Sequence, residues 1–134
     1  MHAINFECHA QQATPSAIVL EERPRWAPEL ERQFAGQDVR IVACRSLRDV
    51  EERAAGATVG VILLDLTAQP AECLRFLERR AAQPSALPVI VVGSDETVDL
   101  EWPSRELGAI AFFACRVPGD EMANLCRRQW TVRP

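Results

Sequence analysis

The chain has 134 residues, 48% of them hydrophobic and 25% charged. That is the balance of an ordinary soluble globular protein, and at roughly 150 residues per domain it makes one domain. All fifteen basic residues are arginine; with no lysine anywhere, Schiff-base chemistry, pyridoxal phosphate and the GK[ST] phosphate loop are excluded.

Residues 1–16 are polar and weakly patterned, an N-terminal extension in which Ile4 and Phe6 offer at most a short added strand. Regular patterning starts at residue 17. Ala17–Leu20 is a short apolar run ended by Glu21-Glu22-Arg23-Pro24, which reads as a strand and a turn. Trp26, Leu30 and Phe34 recur on one helical stripe, closed by Gly36. Val39–Ala43 is the second strand. Ser46 is a predicted N-cap, with Leu47, Val50 and Ala54 as the buried stripe and Gly56 as the stop.

Val59–Leu64, apolar on both faces, is the third strand and runs directly into Asp65. Cys73, Leu74, Leu77 and Ala81 line a third helix ended by Pro84, and Pro88–Val92 is a fourth strand leading into Gly93-Ser94-Asp95-Glu96. The following helix is interrupted by Pro103, so only Ser104–Leu107 reads as helical. Ala109–Ala114 is the fifth strand. Met122, Leu125, Cys126 and Trp130 mark a last helix starting near Pro118, before a tail over 131–134.

Strands alternating with helices, several of them apolar throughout, predict an α/β fold: a doubly wound, five-stranded parallel sheet covered on both faces. Right-handed crossovers favour the order 2-1-3-4-5, with ligands at the carboxyl ends of the strands where the order reverses. Glu21, Glu22 and Asp65 fall at those ends. Acids at strand-to-helix junctions also serve as helix caps or plain surface charge, and both readings stay open here.

His2 and His9 lie near the N-terminus, so histidine acid–base catalysis inside the fold is not expected, and the chain does not read as an enzyme. The net charge of −4 argues against a nucleic-acid partner; Arg127, Arg128 and Arg133 read as a solvated C-terminal patch. Cys8, Cys44, Cys73, Cys115 and Cys126 form no CxxC or zinc spacing and read as reduced, mostly buried thiols of a cytoplasmic protein. Val59–Leu64 is the longest apolar run, far too short to span a bilayer.

From residue 17 to 130 the sequence resembles the receiver domain of bacterial two-component response regulators. The resemblance rests on Leu20-Glu21-Glu22-Arg23-Pro24 as the acidic pair after strand one, and on Leu63-Leu64-Asp65-Leu66 with Pro70 beyond it as the phospho-acceptor segment. It rests further on Pro88–Val92 as the Pro-led fourth strand and on Gly108-Ala109 as the opening of strand five. The resemblance implies a phospho-acceptor at Asp65 and an acidic pocket of Glu21, Glu22 and Asp65 that holds Mg²⁺, weakly here because glutamates displace the ligands by a methylene. It also implies a hydroxyl after strand four, an aromatic switch residue at Phe112 and a lysine after strand five. The chain departs from that pattern. Gly93 stands at the hydroxyl position with Ser94 adjacent, and Cys115 stands at the lysine position, followed by Arg116 as the one nearby cation.

The expectation is therefore a degenerate receiver, a signalling module of a two-component phosphorelay acting by protein–protein contact with impaired switching. The alternative is a competent receiver phosphorylated on Asp65 by a histidine kinase; a small redox or ligand-binding domain is more remote, since no glycine-rich loop follows strand one. Trp102 is the candidate anchor for a partner or a homodimer, Phe112 reads first as core, and Cys115 as a buried thiol. At this length no output domain fits, so the chain reads as a stand-alone receiver or a piece of a longer regulator.

Overall fold

The computed structural model describes residues 13–67, 69–83 and 87–131. The expected features at Ile4, Phe6, His2, His9, Cys8, Pro84, Arg133 and the tail from residue 132 lie outside them. Strands β1 (Ser16–Leu20), β2 (Arg40–Cys44), β3 (Gly60–Asp65), β4 (Val89–Val92) and β5 (Ala111–Phe113) form one parallel sheet in the order β2-β1-β3-β4-β5. Helices α1 (Trp26–Gln33), α2 (Leu47–Ala55), α3 (Pro70–Ala81), α4 (Glu101–Glu106) and α5 (Gly119–Thr131) connect them, with a 3-10 turn over Asp95–Leu100 leading into α4.

The period-two alternation of each strand divides the core between the two faces of the sheet. Ile18, Leu20, Ile62, Leu64, Val89 and Val91 face α2 and α3, with Leu100 and Leu107 beside α4 packed on the same side. Ala17, Val19, Val61, Leu63, Ile90 and Val92 face α1 and α5. A central strand such as β3 is therefore buried on both sides, which is why its sequence shows an unbroken apolar run; full burial of each such Leu or Ile stabilises by roughly 1.5–3 kcal/mol. The predicted helical stripes Trp26/Leu30/Phe34 and Leu47/Val50/Ala54 are buried as a set. In α3 the buried residues are Cys73, Phe76 and Leu77, with Leu74 only partly covered and Ala81 exposed.

Two local expectations are corrected. Ser46 caps α2 as predicted, its Oγ accepting from Asp49 N at 3.1 Å. Pro103, however, does not interrupt its helix: it is the third residue of α4, and the missing N–H falls in the first turn, where no intrahelical acceptor exists. The fifth strand is likewise shorter than the apolar run that announces it, Ala111–Phe113 rather than Ala109–Ala114. Among the described residues, no helix is long and apolar enough to cross a membrane.

Gly60 opens β3 with φ +153°, and a Cβ there would lie 2.0 Å from the carbonyl oxygen of Ser16. The first rung of the β1–β3 ladder (Ser16 opposite Gly60) therefore requires glycine. Gly60→Ala is expected to lower stability by at least ~2 kcal/mol in urea unfolding, whereas Gly36→Ala, in open space, should cost only ~1 kcal/mol. Equal losses would remove the steric part of the argument.

Candidate functional site

The rung beyond Leu20 brings three charged residues side by side. Leu20 pairs with Cys44 of β2 and Leu64 of β3, so Glu21, Arg45 and Asp65 follow in register at the carboxyl edge of three neighbouring strands. Together with Leu20, Glu22 and Gln69 they line a cavity of about 200 Å³. Sequence pattern alone places the three carboxylates at this edge; what each side chain does there differs.

Glu21 is 6% exposed. Its Oε2 accepts from the backbone N–H groups of Arg25 at 3.0 Å and Ala27 at 2.9 Å, and its Oε1 accepts from Trp26 N at 2.9 Å. These are the N-cap and first residues of α1, whose N–H groups have no partner inside the helix. Arg25, the N-cap residue, makes no side-chain capping bond. A carboxylate arriving from the preceding strand does the capping instead, and the positive end of the helix dipole favours it.

Glu22 is exposed. Asp65 accepts through one oxygen, Oδ1, from Thr67 N at 2.9 Å and Thr67 Oγ1 at 2.8 Å, a local turn that fixes its side chain. Among the described residues no group of three or more His, Cys, Asp or Glu side chains is arranged to hold a metal ion. Glu21, Glu22 and Asp65 share the cavity, but both oxygens of Glu21 are engaged by backbone donors, and a compact octahedral ion does not fit that donor set.

At the β4 end Ser94 is an N-cap, its Oγ accepting from Glu96 N at 3.2 Å. A second hydroxyl close to Gly93 belongs to Thr97. Thr97 Oγ1 accepts from Ser94 N at 2.8 Å and donates to Ser94 O at 3.2 Å, closing a capping box. A Cβ on Gly93 would lie 2.3 Å from that oxygen and 3.3 Å from Phe112 Cζ. The Thr97 hydroxyl and the Phe112 ring therefore crowd the space into which a side chain at position 93 would point, and Phe112 is buried as core. The Ser94-x-x-Thr97 spacing was the available signal.

Arg116 is exposed and lines a separate cavity of about 350 Å³ with Arg25, Trp26, Glu29 and Arg32, so it is not the cation of the Asp65 cavity. Arg45 is that cation, at the edge-strand position adjoining Glu21. Cys115 is exposed rather than buried. Cys44, Cys73 and Cys126 are buried, and desolvation pushes each thiol up to about 12, which makes them inert structural groups. Trp102 is 71% exposed, the most exposed of the large apolar residues described.

No protein-family model matches the chain, and no curated protein matches it. Its fold has many counterparts among solved structures. The signal receiver domain of a two-component response regulator from Bacteroides fragilis superposes with a TM-score of 0.72 at 15% identity, covering 87% of this chain and 97% of that one. A CheY-like protein (TadZ) from Pseudomonas aeruginosa gives 0.69 at 20% identity, covering 87% and 99%. The beryllofluoride-activated NtrC4 receiver domain, solved as a dimer, gives 0.71 at 16% identity over 86% and 95%. The fold of this chain is the receiver fold.

The cap makes a direct prediction. Glu21→Ala should lower stability by ~1–3 kcal/mol, and Glu21→Asp should lose most of the same amount because its shorter arm cannot reach three N–H groups. Urea unfolding of both variants is the check, and an Asp variant as stable as wild type would contradict the assignment.

Proposed function

We propose that this chain is a receiver-like signalling module that works by binding other proteins and whose conformation is insensitive to chemistry at Asp65. The observation that supports the reading is the crowding of the space beside Gly93 by the Thr97 hydroxyl and the Phe112 ring. A receiver switches when a phosphoryl group on its aspartate gains contacts to a hydroxyl after β4 and a lysine after β5, releasing space for the aromatic residue on β5. Here the chain has no lysine, Ser94 and Thr97 are both engaged in a capping box, and the volume beside Phe112 is filled.

Magnitudes decide the point. Taking a two-state equilibrium from 1:99 to 99:1 needs about 5.5 kcal/mol of differential affinity. Charge-assisted hydrogen bonds supply roughly 1.5–3 kcal/mol each, so losing both family contacts removes most of the driving force. Arg45 borders the cavity of Asp65, but it sits on the β2 side, away from β4 and β5, and a contact there does not reach Phe112.

The surface that supports partner binding lies around the edge strand β5. On one side of it, Val98, Trp102 and Ile110 are exposed among Asp95, Glu96, Asp99 and Glu106, which form no ion pair among the described residues; Glu101 is paired with Arg105. On the other side, an open groove of about 690 Å³ is lined by Ala111, Phe113, Val117 and Leu125, with two arginines, Arg127 and Arg128, against one carboxylate, Glu121. An acidic apolar patch and a basic groove flanking one edge suit a two-fold pairing of copies, each tryptophan meeting the other's groove. The NtrC4 receiver domain, which has this fold, was itself solved as a dimer, in line with self-association.

Two outcomes test the reading. Asp65→Asn should fold and associate like wild type, and beryllofluoride with Mg²⁺ should leave the amide spectrum of Phe112 and α5 unchanged; large saturable shifts spreading from Asp65 to those residues would establish a working switch. Trp102→Ala should weaken self-association by on the order of 1–3 kcal/mol in sedimentation equilibrium, and Arg128→Glu should weaken it too. Association that neither variant alters would place the interface elsewhere.

A further inference from the structure

At the end of the sheet opposite Asp65, where α2 and α3 terminate, lies a cavity of about 660 Å³ lined in part by Glu51, Thr58, Arg79, Arg80 and Gln83. Its two arginines are not equivalent. Arg79 is held by Glu51, with Nε at 3.2 Å and Nη2 at 2.7 Å from the same carboxylate oxygen. Arg80 has no ion pair among the described residues. Its Nε is sealed from solvent with no hydrogen-bond partner among the described residues, and its guanidinium lies 5.5 Å from the centre of the fully buried Phe76 ring.

Arg80 is half-buried, and a polar atom withdrawn from water, as its Nε is, is ordinarily hydrogen-bonded. Desolvation lowers the pKa of Arg80, and the carboxylate that opposes that shift, Glu51, is already bridged to Arg79. The lining therefore carries one positive charge in excess, on a planar donor fork, with Thr58 and Gln83 lining the same cavity. What this set lacks is an oxyanion. The carbonyl ends of α2 and α3 point here and disfavour a doubly charged phosphate. Ala54 and Ala57 supply apolar wall, and the volume is within the usual range for small-molecule sites, roughly 300–1,000 Å³.

We propose that this cavity binds a small organic monocarboxylate, its head on the guanidinium of Arg80 and its apolar body along Ala54 and Ala57. The site is independent of Asp65 and of the surface around β5, so it stands or falls apart from the signalling reading.

Benzoate is the probe, with acetate and inorganic phosphate as comparisons, titrated into the full chain and followed by backbone amide and arginine side-chain NMR. Saturable benzoate shifts at Thr58, Arg80 and Gln83 are expected in the millimolar range, at least fivefold tighter than for acetate or phosphate. Arg80→Gln should weaken binding at least tenfold, and Glu51→Gln, which frees Arg79, should tighten it severalfold. Should Arg80→Gln fail to fold, Arg80→Lys, which keeps the charge but loses the fork, should weaken binding by a smaller factor. The absence of saturable shifts, a preference for phosphate, or affinity unchanged by both Arg80→Lys and Glu51→Gln would each overturn the proposal.

Discussion

Three backbone N–H groups converge on the carboxylate of Glu21, and the character of the whole strand-end corner follows from that. A side chain leaving the last residue beyond β1 has two uses at this place in the fold: it can point into the crevice at the carboxyl ends of the strands, or it can turn back onto the start of the next helix. With one more methylene than aspartate, a glutamate reaches the N–H groups of residues 25–27, and the low exposure of the site makes each charge-assisted bond count. The same bonds define the course of residues 22–25 and leave Glu22 in solvent. Asp65, held by Thr67, then borders with Arg45 a cavity without the convergent carboxylate cage that a small divalent ion demands.

The other half of the corner is closed by packing rather than by charge. Replacing a side chain with hydrogen at position 93 would by itself leave a void next to the core, and voids of that kind cost stability. Thr97 folds its hydroxyl back into the space, satisfying it through the backbone of Ser94, and the Phe112 ring closes from the β5 side. Interiors packed in this way do not deform continuously, so a side chain at position 93 would require the Thr97 hydroxyl or the Phe112 ring to shift.

How much of this the sequence carried depends on whether period and chemistry agreed locally. The runs Val61–Leu64 and Val89–Val92 and the stripes of α1 and α2 announce their burial because a sheet covered on both faces leaves no room for polar residues. Sheet order followed from handedness rules once those elements were counted. Pro103 misled because a proline inside an apolar pattern reads as a break, whereas its place in the first turn of α4 makes it harmless. The site was legible as a set of positions and not as a set of roles. Nothing in Glu21-Glu22 specifies that the first carboxylate turns toward Trp26; that direction is fixed by where α1 docks. Arg45 carries no signal in the sequence pattern, and Arg116, adjacent in sequence to the expected cation position, faces a different cavity because the loop after β5 runs toward α1.

The account depends most on the cap of α1, and amide hydrogen exchange reads it directly. The N–H groups of Arg25, Trp26 and Ala27, which as helix-start amides would otherwise exchange freely, should be protected in wild type, with protection unchanged by 10 mM Mg²⁺ on the order of its cellular excess, and they should lose that protection in Glu21→Gln. Unprotected amides at these positions, or protection that Mg²⁺ abolishes by drawing the Glu21 carboxylate into the cavity with Asp65, would contradict it.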